Sequence, residues 1–100
     1  MKTPDLKTNP AAGLIEDALE HENISAAQAA RDMRVPRSRL SDMFAGRKGV
    51  SADTALRVER YLGVPASLLA RLQADFDLSR AVREKGRLVE MEVQPLRRAS

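Results

Sequence analysis

Helix-starting and helix-ending residues recur along this chain at intervals that suit a bundle of short helices and little else. Pro10, Ser25, Pro36 and Ser51 each head a stretch with apolar residues at three- and four-residue spacing, and Pro65 or Ser67 heads a further one. Serine there satisfies an amide that the first helical turn leaves unpaired, and proline dispenses with one. Asn23, Gly46 and Gly63 end three of the stretches, since Asn and Gly tolerate the left-handed backbone that closes many helices. Val35-Pro36 makes the remaining break, because proline disfavours helical geometry in the residue before it.

The first helix runs from Pro10 to about Glu22 with Leu14, Ala18 and Leu19 at helical spacing. The second, SAAQAARDM, opens on Ser25 with Gln28 in capping-box position and puts Ala29, Ala30 and Met33 on one face. Pro36 to Ala45 forms the third, burying Leu40, Met43 and Phe44, and SADTALRVERYL the fourth, with Ala55, Leu56, Val58 and Leu62 apolar. The fifth carries Leu68, Leu69, Leu72, Phe76 and Leu78 and reaches into residues 80–85. That stripe is longer than a monomer of this size needs. Gly86 is expected to end it, and the alternation of Val89, Met91 and Val93 against Glu90, Glu92 and Gln94 predicts a strand. The fold class is therefore all-α, a five-helix domain over residues 10–85. A flexible arm precedes it at 1–9, and an extension over 86–100 carries a short β-strand and a basic tail, PLRRAS.

With 100 residues, 43% of them hydrophobic and no Trp, the chain holds one small core built from Ala, Leu, Val and Met. It has no cysteine, which excludes a disulfide framework and a Cys-based metal site. The first ten residues lack the apolar run of a signal peptide, and no apolar run approaches the roughly 18 residues of a membrane span. A cytoplasmic protein without membrane attachment is the expectation. His21 stands alone among acids, and no nucleophile has a base at hand. Neither an enzyme nor a cofactor or metal site is expected.

Charge is informative by segment. Residues 9–33 hold Glu16, Asp17, Glu20, Glu22 and Asp32 against Arg31 alone, whereas residues 34–48 hold Arg34, Arg37, Arg39, Arg47 and Lys48 against Asp42. By charge alone such a reversal fits two readings equally, a surface for a polyanion and an ordinary solvated helix face. It falls on two short helices joined by a tight turn, the helix-turn-helix arrangement, whose second helix fits the major groove of DNA. Arg37 and Ser38 then occupy the base-reading first turn, with Asp42 about one turn on; arginine can bridge guanine O6 and N7, and aspartate can accept from cytosine N4. Arg39, Arg47, Lys48 and Arg34 are placed to hold phosphates, which fix register without reading sequence. Gly49 would let the loop backbone approach the DNA strand.

The segment from Asn9 to Ala81 resembles the HigA-type antitoxins of the lambda-repressor-like (XRE) helix-turn-helix family. VPRSRLS at the recognition helix, GRKGVSADTALR into the fourth helix and LQADFDL in the fifth carry the likeness. It implies a homodimer that binds a palindromic operator, represses its own operon and neutralises a co-encoded HigB-type, RelE-fold mRNA endonuclease. Gln28 joins the expected phosphate-contacting set, while Ala26 stands where the family carries its phosphate-contacting Gln. The chain departs from the family in carrying Arg34 where the turn usually has Gly, and Asn9-Pro10-Ala11-Ala12 where the first helix usually begins His-Pro-Gly-Glu.

A dimer would draw on the surplus stripe of the fifth helix, Leu69, Leu72 and Phe76. The strand face of Val89, Met91 and Val93 would pair either with its copy or with the edge of the toxin's sheet. Two rival readings stand beside the antitoxin: an XRE-type repressor without a toxin, and an interaction protein that has lost DNA binding. The arginine pair Arg37 and Arg39 weighs against the second.

Overall fold

In the computed structural model, which describes residues 5–97, five helices follow one another: α1 (Pro10–His21), α2 (Ala26–Met33), α3 (Arg37–Phe44), α4 (Ala52–Leu62) and α5 (Ala66–Glu92). Side chains cap three of them. Asn9 accepts from the Ala11 amide at 2.9 Å, Ser25 from Gln28 at 3.1 Å and Ser51 from Thr54 at 3.2 Å. The C-terminal ends of the first three helices close by one device. Beyond α1, α2 and α3 a residue with positive φ (Asn23, Arg34, Gly46) is followed by an amide that reaches back five residues, from Ile24 to Leu19, Val35 to Ala30 and Arg47 to Asp42. This Schellman geometry pairs the last carbonyls and turns the chain sharply.

The helices close around Ile15, Leu40, Met43, Val58 and Leu69, all fully buried, with Ala11, Ala29 and Ala55 buried in the same core. Leu56, one of the apolar residues of α4, is 61% exposed.

α5 differs most from the sequence expectation. It is one helix of 27 residues, passing through Gly86 to Glu92, so residues 86–92 form no strand. One interior glycine costs about 1 kcal/mol against alanine, too little to stop a helix already nucleated over some twenty residues. Around it stand Glu84, Lys85, Arg87, Leu88, Glu90 and Met91, good helix formers all. Only at Val93, with φ −112° and ψ 111° and Pro95 two residues on, does the chain become extended. The helix projects beyond the bundle, giving extents of 57 × 24 × 20 Å and a radius of gyration of 17.0 Å, against about 13 Å for a compact chain of this length.

At the other end, Asp5 and Leu6 are held to α5. The Leu6 amide donates to Ser79 Oγ at 2.8 Å, while Arg83 donates to the Leu6 carbonyl at 2.6 Å and pairs with Asp5 at 2.9 Å. The part of the expected arm that is described is thus tied down, because Ser79, itself buried, needs these partners. Residues 1–4 of that arm and 98–100 of the basic tail lie outside the described residues.

Candidate nucleic-acid interface

α2 and α3 pack against each other across the linker Arg34-Val35-Pro36, in which Val35 is buried. Arg34 adopts φ 56° and ψ 46°, a left-handed backbone costing an L-residue roughly 1–2 kcal/mol. The turn keeps its geometry despite the missing glycine. Leu40 and Met43 anchor α3 in the core, which leaves Arg37, Ser38 and Arg39 on its outward first turn. The Arg37 side chain makes no ion pair or hydrogen bond with another described residue, so its guanidinium is available.

A shallow groove of about 340 Å³ gathers Ser38, Arg39, Asp42 and Lys48, with Pro36 and Ser51 at its rim. Four of the residues singled out in the sequence therefore share one surface. Two of them are engaged within the chain. Asp42 pairs with Arg47 (Oδ1 to Nε, 2.9 Å), and Arg39 lies 3.6 Å from Asp53, which also receives Arg57 Nε at 2.9 Å. Exposed pairs of this kind contribute about 0–1 kcal/mol, so an incoming phosphate can displace them. Gln28 is exposed on the first turn of α2, where its backbone N–H donates to Ser25 Oγ in the cap.

Arg34 is not in that groove. It lines a second one, of about 610 Å³, with Asp32, Leu56, Arg57, Arg60 and Tyr61. The Tyr61 hydroxyl donates to the Asp32 carboxylate, and this hydrogen bond raises the phenol's pKa above 10.0. Arg57 ties the two walls together, donating to the Met33 carbonyl at 3.0 Å.

Sequence reasoning passed over Arg57 and Gln73, both of which fix the geometry. Gln73 Oε1 accepts from the Val50 amide and from Asn9 Nδ2, each at 2.7 Å, and Nε2 donates to Asp77 at 2.9 Å. Gly49 lies against this side chain, so its lack of a Cβ serves an intramolecular approach: an added Cβ would stand 2.8 Å from Gln73 Nε2. The one local signal was the four-residue spacing of Gln73 and Asp77, which suits a hydrogen bond along a helix.

The candidate dimer residues divide in two. Leu69 is fully buried in the protomer core, Phe76 is 7% exposed with the Arg80 guanidinium 4.8 Å above its ring, and Leu72 is half-buried against the core. Leu69 thus has no surface to offer a partner, because the bundle itself uses the inner half of the α5 stripe. Val89, Met91 and Val93 are exposed, on a helix and its cap and not on a strand.

Residues 15–69 match the family model described as helix-turn-helix, spanning α1 to the start of α5. The chain belongs to this helix-turn-helix family. Among curated proteins it is 34% identical over 77 residues to virulence-associated protein I of Dichelobacter nodosus, covering 77% of this chain and 71% of that protein. Its structure is similar to that of the antitoxin HigA of Pseudomonas aeruginosa, solved with the higBA promoter. The TM-score is 0.83 at 30% identity, over 94% of this chain and all of the other. It is also similar to an addiction module antidote protein of the HigA family from Coxiella burnetii, with a TM-score of 0.77 at 30% identity over 87% and 95% of the two chains. The resemblance to HigA-type antitoxins thus extends beyond the helix-turn-helix to α5. No helix among the described residues is long and apolar enough to cross a membrane.

Proposed function

We propose that this helix-turn-helix protein is an antitoxin that binds palindromic operator DNA as a homodimer, represses its own operon and neutralises a HigB-type, RelE-fold mRNA endonuclease. The observation that carries the DNA-binding part is the groove shared by Ser38, Arg39, Asp42 and Lys48, beside which α3 offers Arg37 on its exposed first turn. In this reading Arg37, Ser38 and Asp42 face bases, while Gln28, Arg39, Arg47 and Lys48 hold phosphates. Arg34, in a separate groove, would reach only the flank of the site. The full-length likeness to an antitoxin solved with its promoter supports the same reading.

A second copy is the occupant we assign to the exposed end of α5. Leu78, Val82, Gly86, Val89 and Val93 recur at helical spacing along one side, and Leu78 and Val89 lie open to solvent. Gly86 adopts no left-handed backbone, and an added Cβ there would come no nearer to any atom than 3.5 Å, from Val82. Gly86 is itself buried in the protomer, and in this reading its absent side chain would let a second helix approach closely. A palindrome read by two recognition helices about 34 Å apart needs such a dimer.

The test is an electrophoretic shift with DNA from upstream of the reading frame, run with the protein alone and with the product of the neighbouring frame. A specific shift by the protein, together with relief of that neighbour's RNase activity, is expected. A shift without any effect on the neighbour would mark a repressor with no toxin.

A further inference from the structure

The loop that carries Arg47 and Lys48 is fastened by hydrogen bonds from its backbone at its two ends. At its start the Arg47 and Lys48 amides both donate to the Asp42 carbonyl, at 2.8 and 3.2 Å. At its end the Val50 amide donates to Gln73 Oε1. Val50 is buried, so without Gln73 its amide would face the cost of an unpaired donor. The same Oε1 receives Asn9, the residue that caps α1, and the opposite end of the amide is held by Asp77. One side chain thus joins α5, the head of α1 and the loop after α3, with its rotation blocked from both sides. Gly49 rests directly on it.

We propose that Gln73 is a positioning residue for DNA binding: it sets the height and path of the Arg47–Gly49 loop, so that the phosphate grip of Arg47 and Lys48 depends on α5. The proposal rests on the DNA-binding reading above and adds to it a residue that touches no DNA. Because α5 continues into the face assigned to the second copy, dimer formation and loop position share one helix.

Two substitutions in the full chain test this from opposite sides. Gln73→Ala removes the acceptor. Gly49→Ala keeps every hydrogen-bonding group but drives a Cβ into the Gln73 amide. Binding to a labelled duplex of the upstream DNA is followed by anisotropy over a range of salt, and exchange of the Val50 amide by NMR.

Each variant should bind about tenfold more weakly with a salt slope shallower by about one to two, and Gln73→Ala should speed Val50 exchange. The double variant should bind no more weakly than Gln73→Ala alone, because the shortened side chain removes the clash. Costs that multiply in the double variant, or unchanged Val50 exchange in a folded Gln73→Ala chain, would overturn the proposal. If Gln73→Ala melts below the assay temperature, Gly49→Ala decides alone, and wild-type affinity in it refutes the clamp. A wild-type chain that binds no duplex removes the DNA-binding reading and the proposal together, whereas variants that bind as the wild type does remove only the role of Gln73.

Discussion

Arg47 Nε donates to Asp42 Oδ1 at 2.9 Å, and the Arg47 amide donates to the carbonyl of the same aspartate at 2.8 Å. The residue placed against a phosphate and the one placed against a base therefore hold each other in the free protein. DNA binding that uses both must open the ion pair, and its exposure keeps that inexpensive.

Removing the aspartate should free the arginine. Asp42→Ala is expected to raise affinity for random-sequence duplex and to steepen the salt slope by about one. The ratio of operator to random affinity should fall as the acceptor for cytosine is lost. Anisotropy titrations over a salt series measure all three, and a slope equal to that of the wild type would show that Arg47 never reaches the backbone.

Arg37 and Lys48 should separate base reading from phosphate holding. Arg37→Ala is expected to cost roughly 1–3 kcal/mol on operator DNA and to relax preference at one base pair per half-site. Lys48→Ala should weaken all sequences alike and flatten the salt slope by about one. Competition against duplexes with single base changes distinguishes the two patterns; identical patterns would count against α3 as the reading helix.

The left-handed Arg34 makes a stability prediction independent of DNA. Arg34→Gly relieves roughly 1–2 kcal/mol of backbone strain and returns about 0.5–1 kcal/mol through the freer unfolded chain. The net gain of about 0–1.5 kcal/mol should raise Tm, by about 4–8 °C for each kcal/mol in a domain of this size. Arg34→Val, branched at Cβ, should lower it. Thermal melts followed by circular dichroism give both, and a lower Tm for the glycine variant would mean that the arginine side chain itself supports the turn.

At the end of α5, Val89→Glu should yield a folded monomer. The residue is 38% exposed and outside the core cluster, so folding is not at stake. A charge on the stripe should oppose a second copy. Sedimentation equilibrium reads the mass directly, and a dimer of unchanged stability would place the interface elsewhere. Leu69→Glu is the contrasting change: it should unfold the chain, since Leu69 is fully buried.

What could be read in advance was whatever is decided within a few residues. Ser25 and Ser51 cap the helices they announce, Asn23, Gly46 and Gly63 end theirs with positive φ, and Arg34 marks the place where the turn required glycine-like geometry. Residues 87–94 misled because Val89, Met91 and Val93 fit a two-residue period while Leu78, Val82 and Val89 fit a helical one, and the second pattern needs the preceding helix to be counted. Gln73 was hidden for a different reason. Its partners stand 64, 23 and 4 residues away, so only the closed bundle brings Asn9 and Val50 to it.

An unbroken α5 has a metric consequence. From Leu69 in the core to Val89 near its tip the helix rises about 30 Å, at about 1.5 Å per residue. In a pair of chains joined near the tips, that rod works as a ruler: the position at which the two helices cross fixes how far apart, and in what rotational phase, the two reading heads stand. Operator spacing would then be written in the register of an apolar stripe far from any base, and moving the crossing by one helical turn would shift the preferred half-site separation without altering a single DNA-facing residue.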